Sequence, residues 1–585
     1  MRVVRKRMQS ILIIIMLLIF FLIGRLVQIQ LISTESFSNH NVNLIEESVH
    51  QRTQEMVVDD GRGKFIDRNG QSLTSVTNNR LVLFPFLNEM QWPMQQVSTI
   101  TGISTVEMVT KLKDTKSPVA VGDHLTIDQL KQVNELKIPG VFGVPLKDER
   151  PVPIAEHVIG LVRQSQEKIV AQYEDKLKSG ELKATTPIGI TGMQKTFDEF
   201  LLPQQESKLL YHVDRFGGPM FGIDVKYTGD ANPFYPVNVK TTLDLTIQEK
   251  VEELLEKYNL KEGGVVLLDI EKSNILAMAS RPNINQTHPY EEKNKGLYNR
   301  MLMPQVPGSV FKTVTAAAAV EEGILTPNMT FNCNQSIYDE SLENDHQKGM
   351  LSFEESFAQS CNKTFAQLAK QMSEKKPDSL DQYARKLGVT DPVGWSGDVF
   401  HFDHFTQLQE GKGTVWKKDA NKRVPNAISQ TAIGQLDVKL TPLAVANMMA
   451  TIARGGEKRQ VKVVDEIQYK NNTSLYTFKN KKLSGESIKK PTVKELQKLL
   501  SQVVQSEDGT GRRFQDLPYS VAGKSGTAEI DVENEIVNKW FAGYFPADKP
   551  KYALVVVDLN TKSTISSTNQ IFYDIVKEMY DLNHQ

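Results

Sequence analysis

Ser309 and Lys312 stand three residues apart in Pro307-Gly308-Ser309-Val310-Phe311-Lys312-Thr313, which runs into the apolar, alanine-rich segment Val314 to Val320. A proline and glycine ahead of such a segment predict a helix start with the serine on it. Residues three apart on a helix share a face, so the hydroxyl and the amine can come within hydrogen-bond reach. An ordinary lysine amine, with a pKa near ~10.4, is a poor base at neutral pH, but burial against Phe311 and the alanines favours its neutral form. Lys312 could then take the Ser309 proton and turn the hydroxyl into a nucleophile. The serine also lies at a helix N-terminus, where free N–H groups and the dipole favour negative charge growing on an attacked carbonyl.

The same spacing recurs at Ser165/Lys168, Ser373/Lys376 and Ser487/Lys490, all in charged stretches where a lysine stays solvated and protonated. Only Ser309 has an apolar helix behind it; the plain alternative for it is an N-cap. Downstream, Ser360-Cys361-Asn362 closes the run Leu351 to Gln359, and Lys524-Ser525-Gly526-Thr527-Ala528-Glu529 follows. Each has a duplicate elsewhere, Ser567-Thr568-Asn569 and Lys178-Ser179-Gly180, which the order along the chain removes. In that order the three elements resemble the penicillin-recognising acyl-serine transferases, whose motifs are SxxK, SxN and Lys-(Ser/Thr)-Gly.

More of the chain resembles one branch of that superfamily, the class B penicillin-binding proteins: Asn299-Arg300, Gly434-Gln435 and Trp540-Phe541-Ala542-Gly543-Tyr544. Upstream, Arg62-Gly63-Lys64-Phe65-Ile66-Asp67-Arg68-Asn69-Gly70 and Gly189-Ile190-Thr191-Gly192 are similar to the motifs of that family's non-catalytic pedestal, with Gln194 where the family usually has glutamate. The resemblance implies a monofunctional, membrane-anchored D,D-transpeptidase that cross-links peptidoglycan stem peptides and is inhibited by β-lactams. It implies Ser309 as nucleophile, Lys312 as acylation base, Ser360 as proton relay to the leaving amine and Lys524 as the source of positive potential. Asn362 would bind the substrate backbone, Ser525 and Thr527 its carboxylate on the Lys524-Ser525-Gly526 strand, and the N–H groups of Ser309 and Thr527 would form the oxyanion hole. The partners implied are stem peptides, β-lactams and wall-synthesis glycosyltransferases, with no cofactor. The readings set against it are a D,D-carboxypeptidase that trims stems, a β-lactam sensor or serine β-lactamase, and a non-catalytic wall-synthesis scaffold.

The elements that must hold these residues are legible in outline. A chain of 585 residues, 40 per cent apolar and 24 per cent charged, is globular in composition and long enough for several domains. Its net charge of −1 says little about partners, and no basic stripe argues for a nucleic-acid partner. Arg2, Arg5, Lys6 and Arg7 precede an apolar run whose Met8 to Val27 reaches the roughly ~20 residues a bilayer needs. This reads as an uncleaved signal anchor, basic end in the cytoplasm and everything after residue 32 outside.

Three parts follow: anchor 1–32, pedestal 33–235 of mixed α/β character, and catalytic domain 236–585, with a linker at Ala231 to Pro236. Thr246-x-x-Glu249 reads as a capping box for a helix with Ile247, Val251, Leu254 and Leu255 on one face. Gly264 to Asp269 and Ile275 to Ala279 read as a hairpin, and Trp540 to Phe545 and Tyr552 to Asp558 as further strands. Strands at both ends with helices between predict an antiparallel sheet flanked by helices, an α+β fold. Cys333 and Cys361 fall on the exported side, where a disulfide is possible, though Cys361 also reads as a small buried filler. His157 reads as structural, and neither histidine nor cysteine spacing fits a metal site.

Overall fold

The computed structural model describes residues 2–34, 37, 44, 53–204, 206–214, 218–220, 226–228, 232, 234–291, 295–338, 341, 347–564 and 567–584. The linker read at Ala231 to Pro236 lies partly outside them. An N-terminal helix α1 (Arg2–Val27) continues through one π-turn to Ile32. Its Arg5–Ile32 stretch is long and apolar enough to cross a membrane, and none of its most apolar window is buried against protein.

Two compact units interleave along the chain. The first comprises residues 1–62, 75–149 and 203–232, the second residues 63–74, 150–202 and 233–585. In the first, Val119–Val121, Ser75–Leu83 and Val141–Glu149 form an antiparallel sheet in that order. Leu81, Leu83, Val97, Met108 and Val133 make its core.

The second unit holds every residue singled out for chemistry. The elements that bear on the chemistry are, in order, α2 (Leu245–Lys257), β1 (Gly263–Asp269), β2 (Asn274–Arg281), α3 (Lys312–Glu321), α4 (Phe353–Ala358), α5 (Asn362–Lys375), α6 (Pro442–Ala453), α7 (Lys490–Gln505), β3 (Ala522–Asp531), β4 (Ile536–Phe545), β5 (Tyr552–Lys562) and α8 (Thr568–His584). The five strands form an antiparallel sheet in the order β2-β1-β5-β4-β3, which leaves β3 on an edge.

Side chains alternate across a strand, so the two faces of this sheet can be read from β1 and β5. Val265, Leu267, Leu554 and Val556 pack with Val251 and Leu255 of α2 and Phe572 and Ile575 of α8. Val266, Leu268, Val555 and Val557 join the larger core that includes α3 and α6. With both faces covered, the strands carry continuous apolar runs instead of alternating ones. Helix α6 is buried from Pro442 to Ile452, as a helix apolar on every side must be. A second sheet in this unit sets Phe65–Ile66 parallel to Asn238–Thr241, so a short segment far upstream in sequence completes it.

The α+β expectation, with the hairpin and the two C-terminal strands, is met. The capping box is not: α2 begins two residues earlier, and the Asp244 side chain accepts the Ile247 N–H at 3.3 Å. An aspartate is at least as good an N-cap as a threonine, and it takes the end ahead of Thr246.

Candidate active site

Gly308–Phe311 is a 3₁₀ turn that passes directly into α3 at Lys312. Residues three apart eclipse in a 3₁₀ turn, which stacks Ser309 and Lys312 in line. Gly308 has φ of +54°, and a Cβ there would stand 2.2 Å from the Thr527 carbonyl oxygen, so only glycine lets this turn lie against the edge strand β3. Trp540 on β4 donates its indole N–H to the Val306 carbonyl at 3.0 Å and fixes the approach to the turn from the sheet side.

The Lys312 side chain is fully buried. Its Nζ lies 2.6 Å from Asn362 Oδ1, 2.9 Å from the Ser360 carbonyl oxygen, 3.1 Å from Ser360 Oγ and 5.5 Å from the Phe365 ring centroid. Among the described residues no hydrogen bond joins it to Ser309. Burial, then the cations Lys524 and Lys348, hold its pKa well below the usual lysine value. The three other Ser-x-x-Lys pairs end in exposed lysines, and Lys376 is paired with Glu322 at 2.6 Å.

Ser360 lies in the turn between α4 and α5. A capping box starts α4: Ser352 Oγ accepts the Glu355 N–H at 3.2 Å, and Glu355 Oε2 accepts the Ser352 N–H at 2.8 Å. The chain then reverses through Ser360 at φ of +58°, a left-handed conformation that costs a residue with a Cβ roughly 1–2 kcal/mol. Cys361 follows, buried and disulfide-bonded to Cys333, with Cα atoms 5.8 Å apart. Cys361 is buried as read from the sequence, and the disulfide that was possible there is formed, so it is also a covalent tie beside the turn. Asn362 opens α5.

On β3, Lys524 is buried, Ser525 half-buried and Thr527 exposed, as the alternation of an edge strand requires. Lys524 Nζ donates to the Ser525 carbonyl at 3.1 Å and lies 5.8 Å from the Phe357 ring centroid. Burial, and then Lys348, pull its pKa down to about 7, so the cation expected here is only partly charged at neutral pH without a bound anion. Ser525 donates its hydroxyl to Thr510 Oγ1 at 2.8 Å, and Thr510 in turn donates its N–H to the Ala358 carbonyl at 3.1 Å. Gly526 packs under the Ser309 turn, where a Cβ would be 2.6 Å from the Pro307 carbonyl.

Sequence reasoning missed Thr510 and Lys348. Thr510 stands between Gly509 and Gly511, a pairing that marks a tight turn and could have flagged it. Lys348 has no local signature. His157 is buried, its ring Nε2 2.7 Å from the Gly296 carbonyl, and burial lowers its pKa to about 4, which keeps it neutral. It lines a cavity of ≈ 180 Å³ with Thr191, Asn299, Met303 and Gln407, separate from Ser309, Lys312, Ser360 and Lys524.

Residues 263–577 match the family described as the penicillin-binding protein transpeptidase domain, and residues 58–220 the penicillin-binding protein dimerisation domain. The chain belongs to the class B penicillin-binding proteins. Among curated relatives, this class B penicillin-binding protein is 25% identical over 551 residues to stage V sporulation protein D of Bacillus subtilis, covering 88% of this chain and 76% of the relative. It is 25% identical over 550 residues to the peptidoglycan D,D-transpeptidase MrdA of Haemophilus influenzae, covering 85% and 80%. A solved structure described as the structural coordination of polymerization and crosslinking by a peptidoglycan synthase complex contains a chain with the same fold, at a TM-score of 0.66 and 23% identity over 98% of both chains. The protein is an enzyme of the transpeptidase kind, with a membrane-anchoring helix ahead of its two family domains.

Proposed function

We propose that this penicillin-binding protein cross-links peptidoglycan stem peptides through an acyl-Ser309 intermediate. The observation that carries the reading is the buried Lys312 amine, aligned with Ser309 on one turn and bonded to both Ser360 and Asn362. With its pKa held low, Lys312 accepts the Ser309 proton as Oγ bonds to the penultimate D-Ala carbonyl carbon. The N–H groups of Ser309 and Thr527 stabilise the oxyanion. The C–N bond to the terminal D-Ala then breaks, and the proton leaves on the departing amine through Ser360. An amine of a second stem attacks the ester, its N–C bond replacing the Oγ–C bond, and Ser309 recovers its proton. Asn362 holds the donor backbone, and the donor's terminal carboxylate lies against Ser525, Gly526 and Thr527, where it restores full charge to Lys524.

Residues 1–32 act as cytoplasmic tail and anchor, 33–235 as pedestal and 236–585 as catalytic domain. Arg2, Arg5, Lys6 and Arg7 ahead of the apolar run support a cytoplasmic N-terminus and an extracytoplasmic catalytic domain. A glycosyltransferase partner is supported by the fold shared with a chain of a peptidoglycan synthase complex. The two family domains favour this reading over a sensor, a β-lactamase or a scaffold.

The test is nascent, uncross-linked peptidoglycan supplied with a glycosyltransferase, with muropeptides analysed by mass spectrometry. Cross-linked dimers that vanish in Ser309→Ala are expected. D-Ala release with tetrapeptide monomers alone would make the protein a carboxypeptidase.

A further inference from the structure

Lys348 lies outside the three motifs, yet two independent ties join it to the Ser360 turn. Its ammonium donates to the Gln359 carbonyl at 2.5 Å, immediately before Ser360. The backbone that carries it is fixed from the other side. Gly349 N–H donates to Asn334 Oδ1 at 2.7 Å, the Gly349 carbonyl accepts the Cys333 N–H at 2.9 Å, and Met350–Ser352 pairs with Thr330–Asn332. Cys333 is then bonded through its sulfur to Cys361, immediately after Ser360. The left-handed Ser360 is thus gripped on both flanks by one small hairpin, covalently at Cys361 and by a charged hydrogen bond at Gln359.

Among the described residues, the ionisable groups acting on Lys312 are Lys524 on β3, partly charged at neutral pH, and Lys348 on this hairpin. The polar partners of Lys312 are Ser360 and Asn362, neither of which carries charge. Lys348 also acts on Lys524. A cation beside a buried amine disfavours its protonation, in the direction a general base needs. Burial lowers the pKa of Lys348 too, but it is only half-buried, so it carries charge at less cost than the two fully buried lysines.

We propose that Lys348 is a positioning residue of the acylation step, a fixed cation that braces the Ser360 turn and keeps the Lys312 amine in its base form. The inference rests on the reading of Lys312 as the acylation base. A residue that only braced the turn would alter the rate equally at every pH, whereas the charge alters how the rate depends on pH.

The experiment measures the second-order rate of acylation of the full-length protein by a fluorescent penicillin, from acid to alkaline pH. The variants are Lys348→Gln, Lys348→Met and Lys348→Arg, each checked by thermal melting. The two neutral variants should lose on the order of tenfold at neutral pH, the effect of about one unit in the base's titration, and recover toward wild type as pH rises. Lys348→Arg should keep the wild-type profile. A neutral variant with an unmoved pH profile overturns the proposal, as does an equal loss in all three variants at every pH. If Lys312→Ala acylates at the wild-type rate, the reading of Lys312 has failed. If Lys312→Ala is inert while the Lys348 profiles stay unmoved, only the Lys348 inference falls.

Discussion

Gly308 and Gly434 meet backbone to backbone: the Gly308 N–H donates to the Gly434 carbonyl at 3.0 Å, and a Cβ at Gly434 would stand 2.0 Å from the Gly308 carbonyl oxygen. Gly434 has φ of +77°, so a side chain there is strained even before the collision. Gly434→Ala should therefore push the turn bearing Ser309 off its seat. The expected result is a loss of at least about 2 kcal/mol in stability and a fall in penicillin acylation of about 10²-fold or more. Thermal melting and stopped-flow labelling read both, and wild-type acylation in the variant would show that the contact does not set the serine.

Thr510 accepts the Ser525 hydroxyl and is tied to Ala358, so it couples the edge strand to the end of α4. Thr510→Val keeps the shape and removes the hydroxyl. Loss of one or two net hydrogen bonds of about 1 kcal/mol each should slow acylation severalfold with little change in melting temperature. An unchanged rate would leave Ser525 free of any dependence on Thr510.

Lys524 gives a pH dependence whose sign follows from its burial. In the unfolded chain this lysine holds its proton up to about 10.5, while in the folded protein it releases it above about 7. Between those values the unfolded state binds more protons, so stability from this residue rises with pH across that window. The span corresponds to a few kcal/mol at most, on the order of 1.4 kcal/mol per pH unit. Lys524→Met should flatten the rise in denaturation midpoint measured between neutral and alkaline pH; a wild-type slope in the variant would place its origin elsewhere.

The Cys333–Cys361 bond closes a loop with a sequence separation of 28. Chain-entropy arguments give about 3–4 kcal/mol for a loop of this size. Replacing both cysteines by serine should lower the denaturation midpoint accordingly, and a reducing agent should affect the wild type but leave the double variant unmoved. Equal midpoints for wild type and double variant would remove the disulfide from the stability of this unit.

What could be read from the chain alone was whatever has a local signature. The apolar helix behind Ser309 separated it from three look-alike pairs, and the apolar runs at Gly264 to Asp269 and Tyr552 to Asp558 announced strands. The neighbours of Lys312 come from far along the chain, Ser360 and Asn362 on one side and Lys524 on another, and their proximity was inferred from the order of the motifs. Lys348 was invisible because only a hairpin and a disulfide bring it to Gln359. The pairing of Phe65–Ile66 with Asn238–Thr241 likewise has no signature in either segment. At α2 two valid caps competed, and the earlier one won.

A buried lysine that titrates near neutrality ties ligand capture to the proton concentration of the medium. A carboxylate drawn against β3 favours the charged form of Lys524, so above neutral pH each such ligand bound should carry a proton in with it. Calorimetry of a carboxylate-bearing stem-peptide analogue in two buffers of different ionisation heat would count that proton. The affinity of this cleft for a carboxylate-bearing donor would follow the acidity of the medium that bathes it, with no separate sensor needed.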